Sequence, residues 1–155
     1  MRMHSLLLRT LICAALGGCV TPAPIKSSTG ENDAKLGAVA LHSARLGQAS
    51  LNPTRCQAGD RAFFLGGDFI DDASGVVLRL AFDPLDGAAV RLFVPGASPE
   101  RSIVFRRVDC RVLDATLDPT NWKINDVSDY RLTLKFDCAR GDDAASGQVA
   151  AVHCH

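Results

Sequence analysis

The stretch VVLRLAFDPLDGAAVRLFV, residues 76–94, decides the fold. Val76, Leu78, Leu80 and Phe82 alternate with Val77, Arg79 and Ala81. A period of two puts one set of side chains on each face of a strand. Asp83-Pro84-Leu85-Asp86-Gly87 then concentrates turn formers, and beyond it Val90, Leu92 and Val94 alternate with Arg91 and Phe93. Two alternating runs around such a turn predict an antiparallel hairpin with a loop longer than the two-residue minimum.

The same signals recur on both sides. Upstream, Ala62 to Ile70 is an apolar and aromatic run closed by Asp71-Asp72-Ala73-Ser74-Gly75. Downstream, Pro95 to Pro99 separates the hairpin from Ile103–Val108, and Asp118-Pro119-Thr120 predicts another break. Leu132, Leu134, Phe136 and Cys138 share one strand face, and the last strand is expected at about Gln148–His153. Leu36 to Leu51 reads either as a short helix or as a first strand, with Gly37 and Gly47 weakening the helix. About seven strands and no clear helix predict an all-β antiparallel β-sandwich, immunoglobulin-like or of another topology, with a small β-barrel as the alternative.

The order Cys110, Trp122, Cys138 resembles that of immunoglobulin domains. The sixteen residues from Trp122 to Cys138 are too few for that family, and no Tyr stands two places before Cys138, so the topology stays open. Trp122 is expected as a core anchor. The surrounding Thr120 to Val127 carries no chemistry that sequence alone identifies.

A chain of 155 residues with 47% hydrophobic and 22% charged residues has the size and composition of one globular domain. Basic and acidic residues balance at 17 each, which argues against a general nucleic-acid binder, whose phosphate contacts need excess positive charge. The mean hydropathy of +0.10 excludes a polytopic membrane protein.

The first residues read as an address. Arg2 and Arg9 supply positive charge, and Leu6–Leu8 and Leu11–Leu16 are apolar. That apolar stretch is too short and interrupted to span about 30 Å of hydrocarbon. Leu16-Gly17-Gly18-Cys19 resembles the lipobox of bacterial lipoproteins, an aliphatic residue and two small ones before the Cys that becomes the mature N-terminus. The resemblance implies that residues 1–18 are a signal peptide, that the Cys19 thiol takes a diacylglyceryl group, and that the chain partners a lipid bilayer. By resemblance to the enterobacterial sorting rule, Val20 in place of Asp implies the outer membrane, with the domain facing the periplasm or the cell exterior. Residues 19–50 then form the lipidated N-terminus and a Pro-, Ser-, Thr- and Gly-rich tether with a short first element, and residues 51–155 the folded domain.

Cys56, Cys110, Cys138 and Cys154 remain in that domain. An even number in an exported domain predicts two disulfides, with three connectivities open. Cys110 and Cys138 can lie opposite each other if their strands are antiparallel, which leaves Cys56 for Cys154.

Candidate chemistry is sparse. His153-Cys154-His155 holds zinc-type ligands, but strand alternation would place Cys154 opposite the two histidines, and a disulfide would remove it. Asp68, Asp71 and Asp72 could supply oxygen ligands to calcium, although Asp also serves turns by accepting from local N–H groups. No metal or other cofactor is expected; calcium and zinc are the weaker alternatives. Arg101, Arg107 and Arg111 are a candidate anion patch, or a solvated edge that discourages aggregation. There is no nucleophile elbow, zinc-protease motif, P-loop or dinucleotide fingerprint, so no catalytic residue is assigned and an enzyme is not expected. The expected function is a membrane-anchored, non-enzymatic binding or interaction module, such as an accessory subunit of an envelope assembly. A ligand- or glycan-binding domain, with or without calcium, and an envelope hydrolase are the alternatives.

Overall fold

A computed structural model describes residues 36–44, 47–96 and 102–155. The lipobox Cys19, the signal segment, most of the tether and Arg101 lie outside the described residues. What is described is all-β: ten strands in two five-stranded antiparallel sheets, in a sandwich-like arrangement. In chain order they are β1 (Gly37–Ser43), β2 (Gly47–Leu51), β3 (Arg55–Ala58), β4 (Leu65–Ile70), β5 (Val77–Asp83), β6 (Gly87–Phe93), β7 (Ile103–Phe105), β8 (Cys110–Ile124), β9 (Val127–Arg140) and β10 (Asp143–Cys154). One sheet has the order β2-β1-β10-β9-β8 and the other β3-β4-β5-β6-β7. Among the described residues each sheet ends in two edge strands, and neither closes into a barrel.

The deciding stretch forms the expected hairpin. Asp83 pairs with Gly87, leaving Pro84, Leu85 and Asp86 as the loop. The Asp83 carboxylate accepts from the N–H groups of Leu85 and Asp86 at 2.8 and 3.0 Å, the local capping that favours Asp in turns. Leu78, Leu80, Val90 and Leu92 are fully buried between the sheets, facing Leu132, Leu134 and Phe136 of β9.

Of the two readings of Leu36 to Leu51, the strand holds: it forms the β1–β2 hairpin, β1 pairs with β10, and Val39, Leu41 and Leu51 join the core. Strands thus lie on both sides of residue 51, and among the described residues they number ten where about seven were expected. The final strand likewise begins at Asp143, opposite Arg140, not near Gln148.

Pro119 does not break the chain. β8 runs through it, because β8 is an edge strand and a proline there removes no donor that a neighbour needs. The pairing slips instead: from Pro119 to Lys123 the strand advances four residues while β9 moves only from Tyr130 to Ser128. The two extra residues bulge outward, and Trp122 stands 68% exposed instead of anchoring the core. The β8–β9 turn follows at Asn125 and Asp126, with φ of 51° and 64°, the left-handed pair that a tight hairpin turn requires.

Both expected disulfides form, Cys56–Cys154 and Cys110–Cys138. Cys56–Cys154 joins β3 of one sheet to β10 of the other, whereas Cys110 and Cys138 pair directly across β8 and β9 of one sheet. An immunoglobulin-type bridge spans its two sheets, so the Cys110–Cys138 bond differs from that pattern.

Candidate functional site

The candidate residues form three separate groups. In the first, Asp68, Asp71 and Asp72 follow one another around the end of β4 but are spent on different tasks. Asp68 makes a two-pronged bond to Arg79 on β5, with both N–O distances 2.8 Å. The Arg79 guanidinium also lies 4.1 Å from the centroid of the Phe64 ring and 5.0 Å from that of Phe93. Asp71 is buried and accepts from the N–H groups of Asn52, Ala73 and Ser74 at 3.1, 3.0 and 3.3 Å. Burial alone would raise the Asp71 pKa, but these hydrogen bonds outweigh it and hold it below the ordinary value. Asp72 meets Thr54 and Arg55 at the surface, at 2.8 and 2.9 Å. Each carboxylate thus serves its own loop or strand pair.

The second group is the last strand. His153 Nδ1 lies 2.9 Å from Asp129 Oδ2, and His155 Nδ1 lies 3.7 Å from Oδ1. Cys154, between the two histidines, is buried in its disulfide. Asp129 is only 1% exposed. It also accepts from the Thr120 hydroxyl at 2.8 Å and from the Cys154 N–H at 2.9 Å. Burial again pushes its pKa up, and the bonds from His153, Thr120 and the Cys154 backbone more than reverse this, leaving it below the ordinary value. Among the described residues no three His, Cys, Asp or Glu side chains are arranged to hold a metal ion.

The third group is the arginines. Arg107 does not continue a strand; it lies in a 3₁₀ turn over Arg107–Asp109, where its guanidinium donates to the Leu113 carbonyl. Arg111, on β8, pairs with Asp137 through Nε at 3.0 Å. The two thus bind different partners.

The sequence reading missed what joins these elements at one corner. Asp60, in the 3₁₀ turn Gly59–Ala62, accepts from the Ser128 N–H at 3.3 Å and the Tyr130 hydroxyl at 3.2 Å. It thereby fixes the loop between β3 and β4 to the turn end of the β8–β9 hairpin. Phe63 follows that turn at φ 58°, a left-handed conformation rare for a bulky residue, and is 96% exposed. Leu65, Trp122 and Ile124 are also exposed, at 49%, 68% and 40%. The sequence signal was the run of apolar residues at 62–65 between turn formers, which read as strand interior.

Concavities are shallow. One depression of about 450 Å³ is lined by Ala40, His42, Ser50, Asp137, Ala144 and Ser146 among others. No family model, curated protein or solved structure matches the chain.

Proposed function

We propose that this chain is a bacterial lipoprotein, acylated on Cys19, whose disulfide-stapled sandwich is a non-enzymatic interaction module at the cell envelope, by the Val20 rule at the outer membrane. The observation that carries the reading is the pairing of all four domain cysteines in two disulfides, behind a segment that resembles a lipobox. Disulfides persist in exported proteins and are rare in a reducing cytosol. Asp71 and Asp129 are each occupied by donors from their own surroundings, which suits a structural role in the sandwich.

Metabolic labelling with a palmitate analogue, followed by membrane flotation, tests the anchor. The wild-type chain is expected to carry label and float with membranes, and Cys19→Ala to do neither. A Cys19→Ala protein that is still acylated and still floats would overturn the reading.

A further inference from the structure

We propose that the surface built on the Asp129 carboxylate, where the bulge of β8 that carries Trp122 meets His153 of β10, is a binding site for a neutral saccharide. It would be the working surface of the non-enzymatic module proposed above, and its assignment rests on that reading.

One carboxylate oxygen assembles this surface. Asp129 Oδ2 accepts from the Thr120 hydroxyl at 2.8 Å and lies 2.9 Å from His153 Nδ1. The Thr120 oxygen accepts in turn from the Trp122 N–H at 3.3 Å. The bulge of β8 and the end of β10 are thus tied to one atom of β9, the strand between them. The bulge is held by a buried ion and does not slide. Trp122 is nevertheless 68% exposed, so the network that fixes its backbone does not serve to bury its ring. Bulges recur beside functional sites because they re-aim a side chain, and this one re-aims the indole into solvent.

The groups around it suit hydroxyls. Asp129 is ionised at neutral pH, and an ionised carboxylate only accepts hydrogen bonds. The proton of a neutral His153 ring therefore sits on Nδ1, and Nε2 carries the lone pair. The side chain is 63% exposed, which leaves that nitrogen as an acceptor for a hydroxyl from outside. His155 flanks the same carboxylate, its Nδ1 3.7 Å from Oδ1. Asn121 and Lys123, the exposed neighbours of Trp122 in the chain, add amide and ammonium donors. A sugar ring has a face of C–H groups and a rim of hydroxyls, and so matches one aromatic platform with separate donors and acceptors beside it.

The charges indicate a ligand without net charge. Asp118 stands opposite Arg131 in the β8–β9 register, and Asp126 follows Lys123 at the turn. Both signs are interleaved, so neither an anion nor a cation meets a one-sided field.

Trp122 is the only tryptophan, so its emission reports this site alone. The full lipidated protein in zwitterionic detergent micelles would be titrated with chitotetraose and, separately, with maltotetraose, by emission and by calorimetry. We expect at least one of them to change the emission saturably, with a Kd below about 1 mM. Trp122→Ala and His153→Ala should each weaken binding about tenfold or more in the calorimeter, with the circular dichroism spectrum unchanged. His42→Ala, on β1, should bind as the wild type does. No saturable response to either saccharide at about 10 mM, from protein that still floats with membranes, would overturn the site and leave the anchored module standing. Binding that survives both substitutions would put the saccharide elsewhere and overturn the site equally. Cleavage of either tetraose, read by mass spectrometry, would overturn the non-enzymatic reading and this inference with it.

Discussion

The Cys154 N–H donates to Asp129 Oδ1 at 2.9 Å, so the end of β10 is held by a buried carboxylate as well as by the disulfide to Cys56. The same carboxylate takes the Thr120 hydroxyl from β8. One side chain on β9 therefore ties together three neighbouring strands of a sheet just where their regular pairing slips.

Asp129→Ala would leave a buried N–H and hydroxyl without their charged acceptor. A loss of about 3 kcal/mol is expected, from the cost of orphaning donors bonded to an ionised group. Urea denaturation with the disulfides intact would measure it. A change below about 0.5 kcal/mol would contradict the role assigned to Asp129.

The pH dependence follows from Asp129 and Asp71, whose folded pKa values lie below the ordinary 3.8. A carboxyl with a depressed folded pKa adds stability that is complete above its unfolded pKa and disappears as pH falls through the folded one. Stability should thus be flat in these groups near neutrality and fall below about pH 4. Thermal melts of the wild type should show that acid loss, and Asp129→Asn should blunt it.

The two disulfides should differ in weight. Cys56–Cys154 closes a separation of 98 residues and Cys110–Cys138 one of 28. On the chain-entropy account they contribute about 4.7 and 3.5 kcal/mol. Paired Cys→Ala variants should lose stability in that order in urea titrations. The reverse order would show that loop closure is not the dominant effect.

Gly67 lies where β4 crosses beneath β9 and the last disulfide. An added Cβ would come within 2.5 Å of Leu132 Cδ1 and 2.9 Å of Cys154 Sγ. Gly67→Ala should cost about 1–3 kcal/mol by overpacking, read as a lower melting temperature. An unchanged melting temperature would mean that the Leu132 side chain moves aside freely.

Phe63→Gly should act in the opposite direction. Relieving a left-handed conformation at a side chain with little packing should stabilise the domain by about 1 kcal/mol. The same urea titration would detect it, and destabilisation would mean that the ring supports the fold.

Much of this was written in local sequence. The alternation of Val76 to Phe82 and Val90 to Val94, with a turn at Asp83 to Gly87, determined a hairpin, since period-two burial and turn chemistry act within a few residues. The even-numbered apolar face Leu132, Leu134, Phe136 and Cys138 told which side of β9 meets the core. Cysteine count predicted two disulfides and left three connectivities open; the antiparallel pairing of β8 with β9 chose among them. Tertiary structure alone decided the rest. Whether Leu36 to Leu51 became helix or strand depended on the free edge of β10, to which β1 adds. Pro119 could stay inside β8 only because that strand ended up at an edge, where no neighbour needs its missing N–H. Register slips sent Trp122 outward, and Asp129 was buried among donors from β8 and β10; alternation within one strand cannot foresee either, because a bulge is set by the pairing partner.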